Sequence, residues 1–330
     1  MDQLAQAIAA VPSVRLGSLP TPLERLHRLE QHMGVSHIYI KRDDLTGLGP
    51  GGNKIRSLEF LLGEAVAQRC DLVVAAGPVQ SNLCTLTAAC ANKLGMDCIL
   101  LHNGAQPEQL QGNLLLNQLL GAESIFLGSV DSSKRALAME DLLQVQTQAG
   151  RRPYAVRNGA TTGLGAMGYA SAIAELRTQC TQQGIESLTI FAPGGNGGVA
   201  AGLIYGNQLL GNPFSLVIIS VEDDSATLTQ HIEQTIAETV AITGVRFSGS
   251  VSKSACIVDT YRGAGWGMNT PQSSQAIPDF ARLEGILLEN VYTSKVLVGM
   301  CDFIRKGKVD SPACYLHTGG LGSLFSQYNF

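Results

Sequence analysis

The chain is poor in several things, and each shortage narrows what it can be. Charged residues make up only 15% of its 330 positions and aromatic residues 5%, with a single tryptophan. The 23 Lys and Arg residues are dispersed under a net charge of −4, so no basic stripe or aromatic platform suits nucleic acid. No run of about 18 apolar residues is present, which argues against a membrane span. Residues 1–14, MDQLAQAIAAVPSV, lack the basic start and long apolar stretch of a secretory signal, and the expected location is cytoplasmic. No C-x-x-C pair occurs among the eight cysteines (Cys70, Cys84, Cys90, Cys98, Cys180, Cys256, Cys301 and Cys314). They read as reduced core thiols, neither a disulfide frame nor a metal cluster, and no metal is expected.

Glycine, in contrast, is abundant, and the 37 glycines cluster at Gly47–Gly52, Gly194–Gly198, Gly263–Gly267 and Gly319–Gly322. Such clusters mark tight turns or close approach of backbone to a ligand. Between them, short apolar runs alternate with longer segments of helical period, the signature of βαβ units and a parallel sheet. Strands are predicted at residues 37–41, 72–75, 98–101, 124–127, 188–192, 216–221 and 313–317. Helices are predicted at 55–68, 84–94, 112–120, 134–148, 166–182 and 227–242. With 45% hydrophobic residues and no linker, the chain reads as an α/β protein of two interleaved lobes with a cleft between them.

Four constellations could carry chemistry. In the first, the strand IYIKRDD runs into Gly51-Gly52-Asn53-Lys54 at a helix start. A lysine there can be desolvated, its pKa lowered and its neutral amine freed to attack an aldehyde, although one lysine near a helix start is also an ordinary surface residue. The second is Gln80-Ser81-Asn82 after the strand at 72–75. Exposed N–H groups there favour a carboxylate, and Ser81 is equally suited to being a simple N-cap. The third, Pro193-Gly194-Gly195-Asn196-Gly197-Gly198, feeds a helix starting at Val199 and Ala200 and offers a nest of amides to a phosphate. It matches neither nucleotide-binding glycine fingerprint. The fourth pairs Tyr292, a phenol able to move protons, with Thr318, a hydroxyl at the end of the last strand.

In this order, the four pieces resemble the D-cysteine desulfhydrase and 1-aminocyclopropane-1-carboxylate (ACC) deaminase family, pyridoxal 5'-phosphate (PLP) enzymes of the tryptophan-synthase β-like fold, fold type II. The likeness runs from PTPLERL (residues 20–26) to HTGG (317–320) through GGNK, the QSN turn, LGAMGY (164–169) and EGILLENVYT. It implies a PLP-binding lobe of residues 1–50 plus 165–330, a substrate-binding lobe of 51–164, and a homodimer acting on a small amino acid. By the same resemblance Lys54 carries the aldehyde cofactor covalently and Asn53 supports its ring. Backbone amides of Gly195, Asn196, Gly197, Gly198, Val199 and Ala200 hold the phosphate, and Thr318 faces the ring nitrogen. Gln80, Ser81 and Asn82 bind substrate, Ser81 is also placed for proton transfer, and Tyr292 lies on the other side.

The chain departs from the family's pattern at several positions. Leu83 replaces a histidine, Ser57 a lysine, and Val199 and Ala200 stand where a threonine and a histidine are usual. Trp266, counted with the substrate pocket, stands for a tyrosine, and Thr293 for the glutamate of the deaminase pattern. The expectation is a lyase that eliminates across the α and β carbons of a sulfur-containing amino acid, D-cysteine going to pyruvate, sulfide and ammonia. L-cysteate, ACC or another PLP-dependent conversion, and a non-catalytic PLP-binding homologue, are the alternatives.

Overall fold

The computed structural model describes residues 2–309 and 312–327. Among the described residues, ten strands form two sheets. In chain order they are β1 (Leu23–Arg25), β2 (Ile38–Arg42), β3 (Leu72–Pro78), β4 (Asp97–Asn103), β5 (Glu123–Phe126), β6 (Pro153–Val156), β7 (Leu188–Gly194), β8 (Phe214–Ser220), β9 (Cys256–Val258) and β10 (Ala313–His317). The larger sheet runs β1-β2-β10-β7-β8-β9, parallel except for antiparallel β1, and the smaller is the all-parallel β5-β4-β3-β6.

Parallel strands buried on both faces should be continuously apolar; β3 is, and β7 and β10 depart from it only at Thr189 and at the terminal His317. Val73 and Ala75 pack into one core of the small sheet, Leu72 and Val74 into the other. In the large sheet, Ile190 and Ala192 meet the helices 163–183, 198–209 and 225–243, while Phe191 and Tyr315 meet the helices 271–284 and 293–305. The three strands absent from the sequence reading, β1, β6 and β9, are short, and β1 and β9 are edges of their sheet.

The Gly163–Gln183 helix ties the sheets together through small residues. A side chain at Gly168 would strike the backbone of Arg56 at 2.4 Å, and one at Gly202 would strike the Ala166 carbonyl oxygen at 2.1 Å. This is why the segment 164–169 alternates bulky and small residues. Three of the sequence's functional turns leave the carboxyl end of a parallel strand: Ser81 after β3, Gly195 after β7 and Thr318 after β10. Ligand sites of open α/β sheets lie at these ends.

Candidate active site

Lys54 opens the helix Lys54–Ala67. Its Nζ donates to the Gly159 carbonyl at 2.6 Å, and no ion pair to it is found among the described residues. Burial without a neighbouring carboxylate lowers its pKa to about 8. The turn that carries it is pinned to the end of β10. Asn53 N donates to Thr318 O at 3.1 Å, and Gly52 bridges Gly319. Gly319 has φ +93, and a Cβ on it would lie 2.7 Å from Gly52 Cα, so glycine is required for the two turns to touch.

Behind Lys54 lies an ion network. Arg56 donates to both oxygens of fully buried Asp43, each at 2.8 Å, and to Glu175 at 2.9 and 3.0 Å. Lys41 bonds Glu175, Gln179 and the Thr21 carbonyl, and Tyr169 donates to Asp43 at 2.8 Å. Burial would raise the Asp43 pKa, but Arg56 and Lys41 outweigh it and hold the carboxyl below its ordinary value. Lys41 and Asp43 of the KRDD run are therefore spent on this scaffold, while Arg42 and Asp44 pair with each other at 2.8 Å.

Ser81 is the N-cap of the Asn82–Leu94 helix and accepts from Cys84 N at 3.3 Å. The N-cap reading thus holds, and the residue lines the cavity as well. Gly77 permits this packing, since a Cβ there would meet Ser81 Oγ at 2.5 Å. Asn82 accepts from Asn113 Nδ2 at 2.7 Å. Gln80 bonds Asn113 N and Gln111 O, so its amide shapes the turn.

Across the cavity the Gly198–Leu209 helix begins at Gly197, with φ +91 and no side-chain cap, leaving its first amides to a ligand. Residues 195–199 line the cavity. Ala200 does not: its side chain is fully buried in the core, so only its backbone remains for the phosphate role. Tyr292 packs on Gly195, where a Cβ would meet its ring at 3.3 Å, and its hydroxyl accepts from Trp266 Nε1 at 3.0 Å. Burial pushes that phenol's pKa far up, so it remains protonated. Buried Glu289 accepts from the amides of Val291, Tyr292 and Thr293, which fixes the Tyr292 turn. Thr293 is absorbed in the same cap, its hydroxyl donating to the Glu289 carbonyl at 3.1 Å.

One cavity of about 460 Å³ unites Lys54, Asn53, Gln80, Ser81, Asn82, the glycine loop, Trp266, Tyr292 and Thr318. It also holds residues that sequence reasoning missed, namely Asn103, Ser132, Arg135, Thr161 and Glu222. Thr161 sits against the glycine loop, its Oγ1 3.1 Å from a Cβ built on Gly198. Only the run of polar residues before LGAMGY could have hinted at it. The residues fit a phosphorylated aldehyde: a desolvated amine without a carboxylate partner, uncapped amides free of acidic neighbours in the loop, and an uncharged hydroxyl at the end of β10.

A family model described as pyridoxal-phosphate dependent enzyme matches residues 14–319. A putative 1-aminocyclopropane-1-carboxylate deaminase of Pyrococcus abyssi is 34% identical over 318 residues, covering 96% of this chain and 94% of that protein. A D-cysteine desulfhydrase of Yersinia enterocolitica is 36% identical over 335 residues, covering 98% of each. The crystal structure of an ACC deaminase homologue superposes with a TM-score of 0.89 at 34% identity, over 98% of this chain and 96% of that one.

Proposed function

The chain belongs to the pyridoxal-phosphate dependent enzymes, among the lyases that include ACC deaminases and D-cysteine desulfhydrases, and from that premise we propose that it eliminates across the α and β carbons of a sulfur-containing amino acid. The best-supported substrate is D-cysteine, which with water yields pyruvate, sulfide and ammonia. In this reading residues 51–164 form the substrate lobe and 1–50 with 165–330 the PLP lobe, and the enzyme is a cytoplasmic homodimer.

When bound, PLP supplies an electron sink for the substrate's α-carbon. The rest falls to the chain. Lys54 Nζ would hold the aldehyde and serve as the base for the α-proton. A pKa of about 8 leaves a useful fraction of it neutral near pH 7. Ser81 and Asn82 at their helix start hold the α-carboxylate, with Ser81 also moving a proton. Amides of residues 195–200 hold the phosphate, Asn53 supports the ring, and Thr318 gives the ring nitrogen a hydroxyl without a negative charge. That uncharged partner would favour loss of the β-substituent. Tyr292, kept protonated, donates on the far side, with Trp266 and Gln80 closing the pocket. Thr293 cannot act as an acid, and its engagement with Glu289 disfavours cyclopropane opening.

One observation carries the proposal: a desolvated lysine with no carboxylate partner among the described residues shares a cavity with an uncapped glycine-loop helix start. The test is borohydride reduction of PLP-loaded protein and mapping of the labelled peptide, followed by assay with D-cysteine. Label on Lys54 and equal yields of sulfide, pyruvate and ammonia are expected. Label elsewhere, or none, ends the reading, and Ser81→Ala should slow turnover while the protein stays yellow.

A further inference from the structure

Behind the turn that carries Ser81 and Asn82, one buried amide is bonded in a way that the catalytic groups do not account for. Asn113 opens the helix Asn113–Leu119, is fully buried, and stands behind the cavity wall rather than in it. Its backbone N–H donates to Gln80 Oε1 at 2.9 Å. Its Nδ2 donates twice, to the Gln80 carbonyl at 3.0 Å and to Asn82 Oδ1 at 2.7 Å. The other end of the same amide, Oδ1, is buried with no hydrogen-bond partner. It lies against Gly322, where a Cβ would come within 2.1 Å of it. A buried acceptor left unsatisfied costs stability, so this side chain is oriented by its two donors and not by its oxygen.

Resting on the reading that Asn82 receives the substrate's α-carboxylate, we propose that Asn113 is a positioning residue: a one-way relay of hydrogen bonds through it decides which end of the Asn82 amide faces the substrate. The direction of the relay is set by the Gln80 carbonyl, which can only accept. The end of the Asn113 amide beside that carbonyl must therefore be its NH2 group. The second hydrogen of this group points at Asn82, so the end of the Asn82 amide that meets it must be oxygen. What remains of Asn82 is its own NH2 group, which has no partner among the described residues, on a side chain that lines the cavity. Two N–H donors are thus offered to a carboxylate, where a reversed amide would present an oxygen and repel it. The surrounding charges agree in sign. On the smaller sheet's side Arg135 lines the cavity, bonded to Asn103 and with no carboxylate within ion-pair distance among the described residues. Glu222, the only carboxylate in the lining among the described residues, follows β8 of the larger sheet.

The test is spectral titration of the PLP-loaded protein with D-alanine, which has no leaving group, and with ethylamine, the same molecule without its carboxylate. Wild type should bind D-alanine the more tightly. Asn113→Asp keeps the shape but puts an acceptor where the NH2 group was, so the Asn82 amide should reverse. D-alanine binding should then weaken about 10- to 100-fold, the range for losing one hydrogen bond to a charged group, and ethylamine binding should change by less than about threefold. Asn113→Ser breaks the relay without adding a charge and should weaken D-alanine about 3- to 10-fold, again sparing ethylamine. That variant carries the test if the buried acid prevents folding. With D-cysteine, both substitutions should raise KM and leave kcat within about threefold, because the relay serves binding and not the α-proton. Equal weakening of D-alanine and ethylamine would reduce Asn113 to a structural part, and unchanged D-alanine binding would disconnect it from Asn82; either result overturns the proposal. A wild type that binds D-alanine no better than ethylamine would overturn the underlying reading of Asn82, and the relay with it, before any variant is made.

Discussion

Two glycine turns face each other across the cavity, and they are built on opposite plans. The Lys54 turn is backed by side chains: Arg56, Asp43, Glu175, Lys41 and Tyr169 form a bonded network directly behind it. The turn at Gly194–Gly198 is backed by apolar packing. A Cβ on Gly194 would strike Leu228 at 2.5 Å, and one on Gly197 would meet Ile232 at 3.2 Å. The difference follows from what each would do in the proposed function. An amine that forms a bond and moves a proton needs one fixed position, and misplacement by an ångström is costly in rate. A phosphate needs only a concave set of amides and a helix end, which backbone supplies unaided. This is how the second turn would hold a phosphate although Val199 and Ala200 offer it no side-chain donors.

The sharpest break of the comparison is Lys54→Ala. It should abolish the visible absorbance of bound PLP and cut turnover by more than about 10³-fold, since it removes the covalent anchor and the base together. Retained colour would mean that the amides, not the amine, dominate cofactor capture. Next, Arg56→Met strands two carboxylates and should cost about 3–5 kcal/mol of stability in urea unfolding, as expected when one partner of a buried ion pair is removed. A loss below about 1 kcal/mol would show that the network is dispensable.

On the backbone-built side the effects should be smaller. Thr161→Val should raise the PLP dissociation constant about 3- to 10-fold, the worth of one neutral hydrogen bond, with stability unchanged within about 0.5 kcal/mol. Equilibrium dialysis of PLP against the protein freed of cofactor reads this directly, and no change would leave the phosphate to the amides alone. The mildest test is pH. The neutral amine is the reactive form, so the rate of PLP capture should rise with pH and level off above about 8, the pKa of Lys54. An exposed lysine would keep accelerating to about pH 10.

Much of this was legible in the chain itself. Strands at 72–75, 188–192 and 313–317 were found because buried parallel strands are nearly uninterrupted apolar runs, broken here only at Thr189 and His317. β6 begins with a proline and β9 has three residues at an edge, so neither carries a periodic signal. The helix Pro271–Glu284 was passed over because Pro278 lies inside it, despite the capping box at Thr270 and Ser273. Lys54, Ser81, the glycine loop and Thr318 could be read because each stands in a contiguous strand-to-helix turn, where local chemistry and position coincide, and Tyr292 because it caps the next helix within a contiguous motif. Arg135 follows Ser-Ser-Lys near a helix start and reads as solvated, and Thr161 lies in an unmarked loop.

What the sequence by itself determined is therefore the alternation of apolar runs with helical segments, the turns at their junctions and, through ordered motifs, the family and its cofactor. Those depend on neighbours a few residues apart. Only the tertiary structure decided that Lys41 and Asp43 serve the scaffold, that Thr293 is consumed by a helix cap, and that Arg135 looks into the cavity without a carboxylate. Burial and ion pairing join residues distant in the chain, and no local pattern records which charges meet a partner.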